Sequence, residues 1–196
     1  MNATPSPSSA LFAGQRALIT GGTQGIGKAV AMRLARQGAH VYLNFSRNLA
    51  AAEEAIAAFR AAGHSAQLAQ ADLSDPAAID AMLQSIAADG PLDILVCNAA
   101  YQEKVPFLDT SLALMQQTFA VNVFGNVHIV QSVGKRMVEL GAKGRIVVCT
   151  SPHGTYVYNE SFAYDISKAA LNHMVRGAAL ALIAHGIRVN AVDIGW

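Results

Sequence analysis

Cysteine, charge and long apolar runs are all scarce in this 196-residue sequence, and each scarcity excludes a class of protein. Two cysteines, Cys97 and Cys149, are too few for a disulfide framework, so we expect buried, reduced thiols in a cytoplasmic protein. Charged residues make up 14% and the net charge is +1, which leaves no basic surface for nucleic acid. No apolar run approaches the roughly 18 residues of a membrane span. We assign no metal ligands and no membrane or nucleic-acid partner.

Apolar residues, in contrast, are abundant enough for one large core. They make up 53% of the chain, and the mean hydropathy of +0.30 also suggests burial against a partner subunit. The length favours one domain. The first residues, "MNATPSPSSALFAG", have no basic stretch followed by an apolar one, so 1–14 are predicted as a disordered leader rather than a signal peptide. Residues 15–196 would form the domain.

Predicted strands alternate with predicted helices along the whole domain. The strands are apolar on both faces, which is typical of a parallel sheet with helices on each side. The predicted strands are 16–20, 40–45, one within 65–73, 92–100, 144–151 and 187–194. The predicted helices are 27–38, 49–63, 76–90, near 111–140 and near 162–184. The pattern predicts an α/β fold whose ligands bind beyond the carboxyl ends of the strands.

Glycines follow the first predicted strand in the stretch "TGGTQGIG", residues 20–27. Gly21, Gly25 and Gly27 allow a positive φ and a close approach of phosphate to the backbone. The start of the next helix adds free N–H groups and a partial positive charge. The stretch therefore predicts a pyrophosphate site, although a plain tight turn is the alternative.

"SFAYDISKAAL", residues 161–171, places a phenol and an amine four residues apart on one helix face. An ammonium beside Tyr164 would favour the phenolate and lower the pKa from its usual value near 10. Tyr164 is then a candidate proton donor or acceptor, with Lys168 as its partner. The same pair on its own could be the solvated edge of an amphipathic helix.

Six motifs together resemble the short-chain dehydrogenase/reductase family. They are "TGGTQGIG", "ADL" (71–73), "CNAA" (97–100), "VNVFG" (121–125), Ser151 and "YDISK" (164–168). The resemblance implies a doubly wound Rossmann-type sheet and hydride transfer between a nicotinamide and a carbonyl or alcohol. It implies a general acid/base role for Tyr164 and ribose contacts for Lys168. Ser151 would hold the substrate oxygen, and Asn122 would hold a water in a proton relay. A turn cap for Ser151 and simple packing for Asn122 are the alternatives.

The cofactor residues follow from the same resemblance. The end of the second strand carries Ser46 and Arg47 rather than an acid, which suits a 2′-phosphate and favours NADP(H) over NAD(H). Asp72 would bond the adenine amino group. A surface role for Arg47 is the alternative. The remaining cofactor contacts are expected at Gly21, Thr23, Gln24, Gly25, Ile26, Gly27, Leu73, Asn98, Ala99, Ala100, Tyr164, Lys168 and Ile194. Ala100 and Ile194 depart from the family's usual glycine and proline.

The chain ends at "VNAVDIGW", where family members continue with a substrate-covering loop, further helices and a seventh strand. We therefore expect a fragment of a longer polypeptide that lacks the last strand and the lid.

The resemblance also implies a homodimer or homotetramer paired through the two long helices. Three other functions remain open: a catalytically silent dinucleotide-binding sensor or partner subunit, an enoyl reductase and a sugar dehydrogenase. Loop residues that could line a substrate pocket are Tyr101, Gln102, His153, Tyr156 and Tyr158.

Overall fold

A six-stranded parallel sheet forms the centre of the structure, a computed structural model that describes residues 10–195. The strands are β1 (Arg16–Ile19), β2 (His40–Phe45), β3 (Ala66–Gln70), β4 (Ile94–Cys97), β5 (Arg145–Thr150) and β6 (Arg188–Asp193). Their order across the sheet is β3-β2-β1-β4-β5-β6, and every neighbouring pair is parallel. The strand order reverses beside β1, which is where doubly wound sheets bind ligands.

Helices cover both faces of the sheet, so the predicted Rossmann-type fold is confirmed. The helices are α1 (Gly25–Arg36), α2 (Leu49–Ala61), α3 (Pro76–Ala87), α4 (Leu112–Phe119), α5 (Asn126–Glu139) and α6 (Phe162–Leu182). Asn48, Asp75 and Ser111 each precede a helix and accept hydrogen bonds from N–H groups of its first turn. These caps fix where α2, α3 and α4 begin.

The core consists of two apolar layers, one on each side of the sheet. Successive residues of a strand alternate between them, so Leu18 packs in one layer and Ile19 in the other. Leu95 and Val96 divide in the same way on β4. This alternation explains why these strands read as continuous apolar runs in the sequence.

The structure refines two predicted elements. The long helix expected near 111–140 contains a π-helical segment, Ala120–Gly125, between α4 and α5. The strand expected over 92–100 ends at Cys97, because the next two backbone N–H groups bond to the Thr20 hydroxyl instead of continuing the sheet. Both changes occur at predicted site residues. π-Helical insertions are frequent at such sites.

The first described residues pack against the domain, whereas the last strand is largely exposed. Residues 1–9 of the predicted leader 1–14 lie outside the described residues, whereas 10–14 form turns in which the Phe12 N–H donates to the Gln37 carbonyl at 2.9 Å. At the other end, β6 is the edge strand and most of its residues are exposed, with Val192 at 50%. None of the helices between residues 10 and 195 is long and apolar enough to cross a membrane.

Candidate active site

The glycine stretch forms a tight loop between β1 and α1. Gly21 and Gly25 have φ values of 61° and 51°, the left-handed region that favours glycine. A Cβ on Gly27 would lie 2.2 Å from the Gly21 carbonyl oxygen and 2.6 Å from the Asn98 amide nitrogen, so no side chain fits there. The loop thus brings the first turn of α1, with its free N–H groups, close to the end of β1.

A cleft of about 690 Å³ opens beside this loop, at the carboxyl ends of β1, β2, β3 and β4. The predicted cofactor residues that line it are Gly21, Thr23, Gln24, Gly25, Ile26, Ser46, Arg47, Asp72, Leu73, Asn98, Ala99 and Ala100. Gly27 lies beneath the loop, and Ile194 lines a neighbouring pocket. The glycine cradle and the free helix N-terminus fit the pyrophosphate of a dinucleotide.

Two buried polar residues that the sequence reasoning missed hold this cleft in shape. The Thr20 hydroxyl accepts hydrogen bonds from the N–H groups of Asn98 and Ala99 at 2.9 and 3.0 Å. The Asn44 side chain accepts from the Gly21 N–H at 3.3 Å and donates to carbonyl groups at the end of β3. The sequence signal for Asn44 is its amide inside the otherwise apolar second strand. A buried polar group needs hydrogen-bond partners, so such an amide indicates contacts with neighbouring loops.

The far end of the cleft contains a carboxylate that the sequence reasoning did not place there. Ser46 and Arg47 come together as predicted, but both donate to Asp72 Oδ2, at 3.0 and 3.2 Å. Because β2 and β3 are parallel neighbours, the residues after them meet at one edge. The hydroxyl and N–H of Ser74, with weaker help from Ser46 and Arg47, lower the pKa of Asp72 to about 2. The end of β2 itself carries no acid, as the sequence shows, but the neighbouring β3 supplies Asp72 to Arg47.

Ser151, Tyr164 and Lys168 converge at the end of β5, and none of the three lines this cleft, although Tyr164 and Lys168 are predicted cofactor contacts. Ser151 follows β5, and Tyr164 and Lys168 lie in the first two turns of α6. The Lys168 ammonium lies 5.3 Å from the centre of the Tyr164 ring and donates to the Cys149 carbonyl oxygen at 3.0 Å. Lys168 is only 3% exposed, and this burial lowers the pKa of its ammonium.

The pKa of Tyr164 differs from the sequence-based expectation. Burial raises it above the ordinary 10.0, the hydrogen bond with Ser151 lowers it, and the carboxylate of Asp165 raises it again. The protein groups alone therefore do not make this phenol more acidic, because desolvation outweighs the hydrogen bond. A positively charged nicotinamide ring, when bound, would favour the phenolate.

Asn122 lies fully buried in the π-helical segment and connects two elements of the site. Its amide exchanges hydrogen bonds with the backbone of Tyr101, at 2.7 and 2.8 Å, and donates to the Ser167 hydroxyl at 3.0 Å. Ser167 in turn donates to the Tyr164 carbonyl oxygen at 2.7 Å. Asn122 therefore ties the loop after β4 to the helix that carries Tyr164.

A second pocket of about 550 Å³ adjoins Tyr164 and Ser151. Most of the residues that line it are polar. The side chains that line it besides Tyr164 and Ser151 include Gln102, Lys104, His153, Tyr158, Asn159 and Glu160. Of the loop residues predicted for a substrate pocket, Gln102, His153 and Tyr158 are present here, whereas Tyr101 lines the cofactor cleft and Tyr156 is 65% exposed.

Comparison with known protein families identifies one that matches almost the whole chain. Residues 15–196 match the family described as short chain dehydrogenase. The chain belongs to this family. The short-chain dehydrogenases are oxidoreductases, and the fold and enzyme class predicted from the sequence are thereby confirmed.

Several short-chain dehydrogenases resemble this chain over most of its length. Glucose 1-dehydrogenase of Gluconobacter oxydans is 38% identical over 97% of this chain and 72% of the relative. L-rhamnose 1-dehydrogenase (NADP(+)) of Thermoplasma acidophilum is 32% identical over 94% and 73%. The crystal structure of a gluconate 5-dehydrogenase from Burkholderia cenocepacia, in complex with NADP and tartrate, superimposes with a TM-score of 0.89 at 29% identity, covering 97% of this chain and 74% of that one.

Proposed function

We propose that this protein is an NADP(H)-dependent oxidoreductase that transfers a hydride between the nicotinamide and an alcohol or carbonyl carbon. The observation that carries the proposal is the convergence of Ser151, Tyr164 and Lys168 at the end of β5, where Ser151 and Tyr164 line the polar pocket. When bound, the nicotinamide supplies the hydride acceptor or donor. The residues of the chain hold the reacting oxygen and move its proton.

Tyr164 is the general acid/base in this proposal. In alcohol oxidation its phenolate accepts the hydroxyl proton, and in carbonyl reduction its phenol donates a proton to the developing alkoxide. Ser151 holds the same oxygen by a hydrogen bond, which stabilises developing negative charge. Lys168, whose ammonium lies 5.3 Å from the centre of the Tyr164 ring, stabilises the phenolate and would contact the nicotinamide ribose. Asn122 positions the helix beneath them through Ser167.

The preference for NADP(H) rests on Ser46 and Arg47. The Arg47 side chain is 86% exposed at the rim of the cleft, where its guanidinium could bind a 2′-phosphate. Asp72 competes with the 2′-phosphate for the same guanidinium. We therefore expect a smaller preference for NADP(H) over NAD(H) than an arginine without a carboxylate partner would give. The NADP in the related gluconate dehydrogenase structure supports this preference.

A polyhydroxylated substrate, such as a sugar or a polyol, suits the second pocket. Amide, ammonium, imidazole, phenol and carboxylate groups surround the space beside Tyr164, and these groups pair with hydroxyls. Relatives that act on glucose, rhamnose and gluconate support this substrate class. An enoyl reductase needs an apolar space beside the nicotinamide, and the lining at Tyr164 favours it less.

Turnover measurements test the proposal. The purified protein is incubated with NADPH and a panel of ketones and acyl thioesters, and with NADP⁺ and a panel of sugars, and each assay is repeated with the unphosphorylated cofactor. Absorbance of the reduced nicotinamide reports hydride transfer. NADPH binding without turnover of any compound would favour a silent sensor or partner subunit. A clear preference for NADH would refute the cofactor assignment.

A subunit partner completes the proposal. A groove between α5 and α6 is lined by the apolar or small residues Val127, Val130, Gly134, Val138, Met174, Gly177, Ala178, Ala181 and Leu182. At the end of α6, Leu180 is 80% exposed and Ile183 is 58% exposed. A face this apolar favours contact with another protein surface. Pairing of the same face in a second copy would give a homodimer, which could pair again into a homotetramer.

A further inference from the structure

Glu160 is the only residue other than glycine with a positive φ, 64°, between residues 10 and 195. This left-handed conformation costs a side chain free energy that glycine avoids. Glu160 is the third residue of the turn 158–161, in which the Ser161 N–H donates to the Tyr158 carbonyl oxygen at 3.3 Å. A third turn residue with positive φ is normally Gly or Asn. The chain therefore carries a glutamate where a smaller residue would fit with less strain.

The turn is fixed at both ends by the elements around it. At its start, the Tyr158 N–H donates to the Asp165 carboxylate at 2.8 Å. At its end, Ser161 is 4% exposed, forms a parallel β-bridge with Val105 and accepts the Asp165 N–H at 2.8 Å. Strained backbone persists where surrounding contacts over-determine it, and it is frequent at functional sites. These contacts explain how the conformation is held, but they give no reason for a carboxylate there.

Glu160 lines the polar pocket of about 550 Å³ that also contains Tyr164 and Ser151. Among the described residues that line this pocket, Glu160 is the one carboxylate and Lys104 the one ammonium. Each of these two residues directly precedes one partner of the β-bridge that joins the loops after β4 and β5. Neither takes part in an ion pair within residues 10–195, so both charges are available to a ligand.

We propose that Glu160 is a specificity-determining residue whose carboxylate accepts hydrogen bonds from the hydroxyls of a neutral sugar or polyol, on carbons other than the reacting one. The inference rests on the proposed oxidoreductase function, in which Tyr164 and Ser151 take the reacting oxygen. A carboxylate only accepts hydrogen bonds, and its bonds from hydroxyls are charge-assisted. Glu160 also repels a carboxylate on a substrate, whereas Lys104 attracts one. The two residues therefore act in opposite directions on sugar acids.

The test compares D-glucose with D-glucuronate, which have the same oxidisable ring carbon and differ at the opposite end, where glucuronate has a carboxylate in place of a hydroxymethyl group. Kinetics with NADP⁺ give kcat and KM for each compound. Calorimetric titration of each compound into the protein with NADPH bound measures recognition without turnover. The variants are Glu160→Gln and Lys104→Gln. The matched control is Glu54→Gln, because Glu54 is an exposed carboxylate on α2 outside the pocket.

We expect Glu160→Gln to lower the ratio of kcat/KM for glucose over glucuronate by about tenfold, the effect of one charge-assisted hydrogen bond. The loss should be in KM and in the calorimetric Kd for glucose, with kcat within a few-fold, because a contact remote from the reacting carbon is equally strong before and in the transition state. Lys104→Gln should raise the same ratio, since glucuronate loses an attractive charge. Glu54→Gln should behave like the wild type. General damage to the fold cannot shift the ratio in opposite directions in two variants.

A second pair of variants separates the carboxylate from the backbone strain. Glu160→Ala removes the carboxylate and keeps the strain, whereas Glu160→Gly removes both. Both variants should lose the preference for glucose to the same extent. Thermal unfolding should place the midpoint of Glu160→Gly about 2–4 °C above that of Glu160→Ala, the shift expected for a release of strain of this size. Equal preferences with unequal stabilities would show that recognition depends on the carboxylate and not on the shape of the turn.

Three results would overturn the inference. The first is an unchanged ratio and an unchanged Kd for glucose in Glu160→Gln. The second is a ratio that falls only in Lys104→Gln, which assigns recognition to the ammonium. The third is binding of neither compound to the wild type with NADPH bound. The proposed function is judged separately, by turnover of the ketone, thioester and sugar panel. Turnover there without any effect of the Glu160 variants means that only this inference fails, and the calorimetric titration still tests Glu160 if no compound is turned over.

Discussion

The ammonium of Lys168 lies 5.3 Å from the centre of the Tyr164 ring while it donates a hydrogen bond to the Cys149 carbonyl oxygen at 3.0 Å. The backbone of β5 therefore holds the charge beside the phenol. Burial lowers the pKa of Lys168 and raises that of Tyr164. In each case burial disfavours the charged form, the ammonium of Lys168 and the phenolate of Tyr164. The charge states of Tyr164 and Lys168 then depend on the other charged and polar groups of the site, which several variants can alter.

Tyr164→Phe should remove nearly all turnover and leave cofactor binding within a few-fold of the wild type. The ring keeps its packing against His153, and only the hydroxyl is lost, with its transferable proton and its hydrogen bond to Ser151. General acid/base groups contribute about 10²–10⁴-fold to rate. Steady-state turnover and NADPH fluorescence titration measure the two effects. Residual activity above a few per cent would refute the role given to Tyr164.

Lys168→Ala should weaken both turnover and cofactor binding, because its ammonium is proposed to serve the phenol and the ribose. Lys168→Met is the matched variant, since it keeps most of the buried volume and loses only the charge and the hydrogen bond to Cys149. If Lys168→Ala loses both properties but Lys168→Met retains them, packing rather than charge explains the effect. Steady-state turnover and NADPH fluorescence titration measure the two properties.

Arg47→Leu should raise KM for NADPH by about tenfold or more and change KM for NADH little, because a charged hydrogen bond to the 2′-phosphate is lost. Asp72→Asn should act in the opposite direction, since it releases Arg47 from its carboxylate partner. Parallel kinetics with the two cofactors measure both changes. Equal effects of Arg47→Leu on NADPH and NADH would argue for a surface role of this arginine.

Gly177→Arg should convert the expected dimer into a monomer. A Cβ at Gly177 meets no atom within 4 Å in the protomer, so the substitution is tolerated there and acts only on a partner at the α5–α6 groove. Ala57→Arg, at an exposed position of α2, is the control for added charge. Light scattering at micromolar concentration reports the mass. A wild-type monomer under these conditions would contradict the proposed pairing.

The pH dependence of alcohol oxidation should shift in opposite directions in two variants. Tyr164 must be deprotonated to accept the proton, so the rate rises as the pH approaches its pKa. The Asp165 carboxylate raises that pKa, so Asp165→Asn should move the rise to lower pH. The hydrogen bond with Ser151 lowers it, so Ser151→Ala should move the rise of its residual activity to higher pH. Profiles of kcat against pH that shift together, or not at all, would contradict this assignment.

The order of the elements and the glycine loop could be predicted from the sequence because their causes are local. Alternating apolar strands and amphipathic helices allow few arrangements other than a parallel sheet. Gly27 has to be glycine because the loop turns back on itself, and the motif that contains it is recognisable in the sequence. The spacing of Tyr164 and Lys168 likewise predicts a pair on one helix face, whereas Ser151 follows from the resemblance to the family.

The pairings across the sheet could not be predicted, because they join residues distant in the chain. Asp72 reaches Arg47 only because β2 and β3 lie side by side, and Asn122 reaches Ser167 only because the π-helical segment packs on α6. The link between Asp165 and His153 likewise depends on how the loop after β5 folds back onto the helix.

The sequence by itself therefore determined the fold, the family, the enzyme class and the residues that could carry the chemistry. Those properties follow from patterns within single strands, helices and loops. Only the tertiary structure decided the electrostatic state of these residues: that burial raises the pKa of Tyr164, that an acid accompanies Arg47, and that Asp165 pairs with His153. The physical reason is that desolvation and Coulomb interactions depend on distance in space and on burial, which packing between distant segments sets.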